Sequence, residues 1–117
     1  MFLEVDNSGL LEEQPAHIAD PIALWVREDV QESLREVHGI KISEDATAPA
    51  VIVRLGWVDY PKSIYHIEIA IRRPGNDPVT VTTIDQYFLQ DTDVAKAAAA
   101  NLEDALAELA KPAPRDD

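Results

Sequence analysis

The stretch DYPKSIYHIEIAIRRPGNDP, residues 59–78, decides the fold. Between the turn signals Tyr60-Pro61-Lys62-Ser63 and RPGNDP the side chains alternate strictly, with Tyr65, Ile67, Ile69 and Ile71 on one face and His66, Glu68, Ala70 and Arg72 on the other. An alternation of period two belongs to a half-buried strand, so 64–72 is predicted to put its first face into a core and leave its second open. Upstream, APAVIVRLGWVDY predicts a strand from Ala50 to Tyr60, with Val51, Val53, Leu55 and Trp57 on one face and Ile52, Arg54, Gly56 and Val58 on the other. Gly56 marks a bulge or a place where another backbone packs closely. Downstream, VTVTTIDQYFL predicts a third strand over 79–89, whose apolar phase slips between Val81 and Ile84, the signature of a bulge near Thr82 and Thr83.

Short turns join the three strands, which predicts an antiparallel meander. If the Pro61 turn pairs position 58 with 66 and 54 with 70, then Arg54, Val58, His66, Glu68, Ala70 and Arg72 line the open face, with Arg54 diagonal to Glu68. Opposite charges so placed are ordinary on a solvated sheet and stabilise by about 0.2–1 kcal/mol.

A helix is expected on each side of the meander. In ADPIALWVREDVQESLREVHGI, Asp20 is placed to cap, Pro21 to take the first helical position, and Gly39 to end the helix with Ile40 folding back on Leu34. Ile22, Val26, Val30, Leu34 and Val37, with Trp25 beside them, form the apolar stripe of a helix over 20–38. In DTDVAKAAAANLEDALAELAKP, Asp91 and Asp93 complement a helix N-terminus, Val94, Ala98, Leu102, Leu106 and Leu109 make the stripe, and Pro112 follows the end. The expected fold class is α+β: a two-layer sandwich in α-β-β-β-α order, with both helices on the Tyr65–Ile71 face of a three-stranded meander. Residues 1–19 read as a leader or linker, with a short edge strand over 2–5 turned by Asn7, Ser8 and Gly9 as the alternative. Residues 20–111 read as one domain and 112–117 as a disordered tail.

Bulk composition narrows the function. A chain of 117 residues, 46% hydrophobic and 27% charged, has the size and composition of one folded domain. Ten Lys and Arg against twenty-two Asp and Glu leave a net charge of −12, which disfavours phosphate backbones and anionic membranes and attracts basic partners. Residues 39–78 are neutral, so the acidity sits on the helices, the third strand and the N-terminal segment. The absence of cysteine excludes disulfides, thiolate metal sites and a cysteine nucleophile. No apolar run is long enough for direct membrane insertion.

Few residues invite chemistry. His66 and Glu68 could present two ligands from one strand face, but two ligands do not make a metal site. Asp85, Asp91 and Asp93 lack the spacing of a cation loop, and helix capping accounts for the last two. Ser8, Ser33, Ser43 and Ser63 stand in no nucleophile motif, and four glycines form no phosphate loop. Neither enzyme activity nor a cofactor is expected. The candidate partner-binding residues are Arg54, Val58, His66, Glu68 and Arg72 on the open sheet face, for a protein partner or self-association, and Glu28, Glu32 and Glu36 along the first helix. Like charges four residues apart destabilise a helix by a few tenths of a kcal/mol, at roughly the scale of one pair interaction, and suit a basic surface.

Two family resemblances follow. The α-β-β-β-α order resembles the double-stranded RNA-binding domain, but that family needs a basic start to its last helix, where Asp91, Thr92 and Asp93 stand here. The layout of 20–111 is also similar to accessory lipoprotein domains of the Gram-negative envelope, of the lipid-transport auxiliary and lipopolysaccharide-assembly types. The likeness rests on the helix ending Val37–Ile40, the strand opening at Ala50 and Val51, the phrase Tyr87-Phe88-Leu89-Gln90-Asp91, and the Ala- and Leu-rich final helix. It implies a non-catalytic, partner-holding domain, periplasmic or tethered to the outer membrane, with a lipidated Cys upstream of Met1. The alternatives are a cytoplasmic location, an acidic inhibitor or immunity-type protein for a basic partner, and a phage or secretion-system structural subunit.

Overall fold

The computed structural model describes residues 1–111; the tail expected over 112–117 lies outside them. The chain runs β1 (Phe2–Asp6), α1 (Ser8–Leu11), α2 (Ala16–Glu36), β2 (Ala50–Asp59), a 3-10 turn (Tyr60–Lys62), β3 (Ile64–Arg72), β4 (Val79–Tyr87), α3 (Asp91–Ala100) and α4 (Glu103–Ala110). This is an α+β fold. Its sheet has four strands in the order β1-β2-β3-β4, with β1 parallel to β2 and the remaining pairs antiparallel.

The three-stranded meander is therefore corrected to a mixed four-stranded sheet. Residues 1–19, read as a leader or linker, contain an added strand: Leu3 pairs with Val51 and Val5 with Val53, so β1 extends the core face of β2. A parallel neighbour needs a crossover, and α2 supplies it.

β3 carries the core. Tyr65, Ile67, Ile69 and Ile71 are buried in one cluster with Val51, Val53 and Leu55 of β2, Ile22, Val26, Val30 and Leu34 of α2, and Val94, Ala98, Leu102 and Ala105 of the C-terminal helices. Fully burying one such aliphatic side chain contributes about 1.5–3 kcal/mol, so this face dominates the stability. At the hairpin end an aromatic group closes the cluster. Trp57 lies 4.1 Å from Tyr65 and 5.0 Å from Tyr60 between ring centroids, and Tyr65 meets Phe88 edge-on at 5.7 Å. The Tyr65 hydroxyl donates to Asp91 at the start of α3, and its own pKa is raised by burial first and by that carboxylate second.

Four local expectations shift. Asp20 is no cap: α2 begins at Ala16 after Pro15, Pro21 sits inside it, and Asp20 instead accepts from Asn7 Nδ2 at 3.0 Å. Burial of Ala19 in the core favours the extra turn although Pro21 forfeits one backbone bond. Val37 leaves the stripe and is 73% exposed, because the helix ends at Glu36 and Gly39, at φ +66, reverses the chain so that Ile40 N–H reaches Leu34 O at 2.8 Å. The single C-terminal helix is two, broken at Asn101, whose side-chain amide donates to the Ala97 carbonyl at 2.7 Å and competes with the helical pattern. The slip in β4 falls at Val81, which is left unpaired between Thr80 and Thr82.

The Pro61 connection also sets a different register. Gly56 pairs with His66 and Arg54 with Glu68, because Tyr60–Ser63 form the turn and Val58 is an extra, unpaired residue between Trp57, which pairs with Tyr65, and Asp59, which pairs with Ile64. Gly56 meets another backbone: α1 crosses the edge of β2 with Gly9 against it, and a Cβ on Gly9 would lie 2.6 Å from the Leu55 carbonyl oxygen and 2.9 Å from Gly56 Cα. Trp57 Nε1 donates to Leu10 O at 3.3 Å and pins the same junction.

Gly9→Ala is therefore expected to destabilise by about 1–3 kcal/mol, since both obstructing atoms are backbone. At Gly39 nothing lies within 4 Å, so Gly39→Ala is expected to cost only the backbone strain of about 1 kcal/mol. Urea midpoints of the two variants test the ranking, and a milder loss at Gly9 than at Gly39 would contradict the α1–β2 contact.

Candidate functional site

The sheet face away from the helices holds Arg54, His66, Glu68 and Arg72, each placed by strand alternation and by the observed register. Because Arg54 faces Glu68 directly, not diagonally, their side chains pair at 3.5 Å. His66 faces Asp85 of β4. Its ring reaches Asp85 Oδ1 from Nδ1 at 2.5 Å and Glu68 Oε1 from Nε2 at 3.0 Å. Arg72, at the far end, donates to the Ala46 carbonyl at 3.3 Å and stands 3.8 Å from Glu4 of β1. Ile52 and Ala70 share this face and are buried between these charged pairs, so the face is a charged ladder over a small apolar floor and not a bare surface.

Electrostatics follow from the pairing. Hydrogen bonds to Glu68 and then Asp85 raise the His66 pKa above its ordinary value, against a smaller opposing desolvation. The His66 hydrogen bond is also the main cause that lowers Glu68. Asp6, at the end of β1, is lowered by the Ser8 backbone N–H, which donates to it at 2.9 Å. Asp6, Ser8, Gly9, Arg54, Gly56, His66 and Glu68 surround a concavity of about 210 Å³ whose floor is the Gly9–Gly56 contact. Both ring nitrogens of His66 lie within hydrogen-bond distance of carboxylates, which hold the ring in place on the strand face. Among the described residues no cluster of three or more His, Asp or Glu has metal-binding geometry.

The turn end of this face differs in character. Val58, unpaired beside the turn, and Tyr87, paired with Ile64, are each 55% exposed, and Leu89 just beyond β4 is 79% exposed. Val58 was read from strand alternation; Tyr87 and Leu89 were not among the candidates, and the third strand, expected to run to Leu89, ends at Tyr87. Phe88 alone turns inward, its N–H donating to the Ser63 carbonyl at 3.2 Å.

Glu28, Glu32 and Glu36 are exposed along α2, on the other side of the molecule from the sheet candidates, so the two sets do not form one site. Glu32 and Glu36, with Asp29, Ser33, Val37 and Ala99, border a groove of about 400 Å³ between α2 and α3. No helix among the described residues is long and apolar enough to cross a membrane. Comparison with protein-family models, curated proteins and solved structures finds no match.

The two shifts set a pH window. The raised pKa of His66 contributes stability that is complete below its ordinary 6.5 and is lost as pH rises through the folded value; the depressed Glu68 contributes stability present above 4.5 and lost as pH falls. His66→Gln should therefore cost most between those two values, about 0.5–1 kcal/mol for so exposed a pair, and progressively less at higher pH. Urea midpoints of both proteins across a pH series check this, and a cost that grows with pH would contradict it.

Proposed function

We propose that the chain is a non-catalytic protein-interaction domain that holds a partner against the turn end of its open sheet face. The observation that carries this is the group of exposed Val58, Tyr87 and Leu89, with the half-buried Ile64 paired to Tyr87, beside a concavity rimmed by Arg54, His66 and Glu68. Apolar and aromatic anchors next to a polar rim are the anatomy of a docking patch, and an apolar row left in water has no use within the fold itself. The ladder of Arg54, Glu68, His66 and Asp85 is already internally paired, which suits orientation of a partner better than proton transfer. The layout likeness to envelope accessory lipoproteins supports a place in the periplasm or at the outer membrane.

A second reading, an acidic inhibitor of a basic protein, draws on one further observation. The groove beside Glu32 and Glu36 has the exposed Val37 and the half-buried Ala99 in its lining, so it offers apolar contact beside carboxylates, with Lys96 the one basic residue in the lining.

A photo-crosslinking phenylalanine derivative in place of Tyr87, introduced in the native host, is expected to yield a discrete adduct that Val58→Glu abolishes. The same probe at Leu24, 53% exposed on α2, is expected to yield none. An adduct from position 24 and not from 87 would move the function to the helical side.

A further inference from the structure

The two edges of the sheet are treated differently. Along β1 the Met1 carbonyl accepts from Ser43 N–H at 2.6 Å, the N-terminal amine donates to Lys41 O at 3.1 Å, and Arg27 Nη1 reaches over from α2 to Leu3 O at 3.3 Å. Past the end of β1, α1 covers the edge of β2. At the opposite side, among the described residues, the backbone of β4 bonds to β3 and to nothing else. β4 is rich in Val and Thr, and its one charge, Asp85, is held by His66. An edge strand this uncharged is a template for another strand, and the β4 edge has only the Val81 bulge to discourage pairing.

The helix side of the same edge has a receptor for a side chain. Thr82, Ala100, Asn101, Glu103 and Asp104 enclose a concavity of about 110 Å³. The Thr82 hydroxyl oxygen is shielded from water and has no hydrogen-bond partner. Glu103 and Asp104, in the first turn of α4, are exposed, and neither is in an ion pair among the described residues. A strand laid along β4 projects alternate side chains to this side, where a Lys or Arg beside Thr82 could donate to its hydroxyl and to both carboxylates. A net charge of −12 on each copy opposes self-pairing and favours a basic occupant.

We infer that the outer edge of β4 is a strand-addition site for an extended segment of a basic protein, with Lys or Arg entering the concavity beside Thr82. Main-chain hydrogen bonds would supply affinity and the carboxylate concavity the choice of side chain. The receptor beside Thr82 lies on the helix side of β4, whereas Tyr87 belongs to the patch at the strand's end, and the inference does not depend on that patch.

The test titrates isotope-labelled protein with a capped nonapeptide of alternating Val and Thr with one central Lys. Amide hydrogen exchange within β4 should slow, with shifts reaching the start of α4. Glu103→Gln with Asp104→Asn should weaken binding about five- to tenfold, whereas Glu12→Gln with Glu13→Gln, which removes the same charge from exposed positions elsewhere, should not. Equal weakening by both double variants, equal binding of a backbone N-methylated peptide, or no added protection in β4 would each overturn the inference. So would β4 protection that rises with protein concentration in the absence of peptide, since that would assign the edge to a second copy.

Discussion

Helix packing on one face of β2 and β3 is the constraint on which the structure depends. Ile67, Ile69 and Ile71 lie against α2, α3 and α4, with Tyr65 closing the end through its hydroxyl to Asp91. Because strand side chains alternate, placing these four inside forces His66, Glu68, Ala70 and Arg72 to the other side. A slip of one residue would exchange apolar for charged along the whole strand. The core face therefore sets the register, and the register sets which charges meet: Arg54 with Glu68, and His66 with Glu68 and Asp85.

Those pairings explain how a chain with so much acid tolerates a charged sheet. The carboxylates on this face are matched by two arginines and a histidine, while unmatched acid is displaced to α2 and to the first turn of α4. In the helix the Glu28, Glu32 and Glu36 repeat is a modest local cost, borne because Val26, Val30 and Leu34 on the opposite stripe are fully buried. The surface is thus divided into a neutralised ladder, an apolar turn end, an open strand edge and an acidic helical side.

What could be read from the residues followed their periodicity. β2 and β3 were legible from strict alternation, and the core of α2 from its stripe. β1 was less so, since Phe2 to Asp6 is too short to distinguish a strand from a linker until Leu3 and Val5 are seen beside Val51 and Val53. The helix start was misread because Asp20-Pro21 is a good capping phrase, and only the tertiary burial of Ala19 overrides it. Arg54 and Glu68 were expected as neighbours, but their direct pairing depended on a turn and a bulge at Val58 that residue types alone do not specify. The role of Asp85 was missed for the same reason: it faces His66 only through the register of β4, and from sequence it was weighed only for a cation loop, which its spacing to Asp91 and Asp93 did not support. Gly56 did carry a readable signal, and its partner proved to be Gly9.

Because the chain has no cysteine, single thiols report directly on which side of the sheet is covered. The most direct measurement is the maleimide labelling rate of Val58→Cys, Tyr87→Cys and Ile67→Cys in the folded protein. Helix packing on one face predicts that the first two react at the rate of a free thiol, while the third reacts only as fast as the molecule unfolds. Fast labelling at 67, or protection at both 58 and 87 in the isolated monomer, would contradict it.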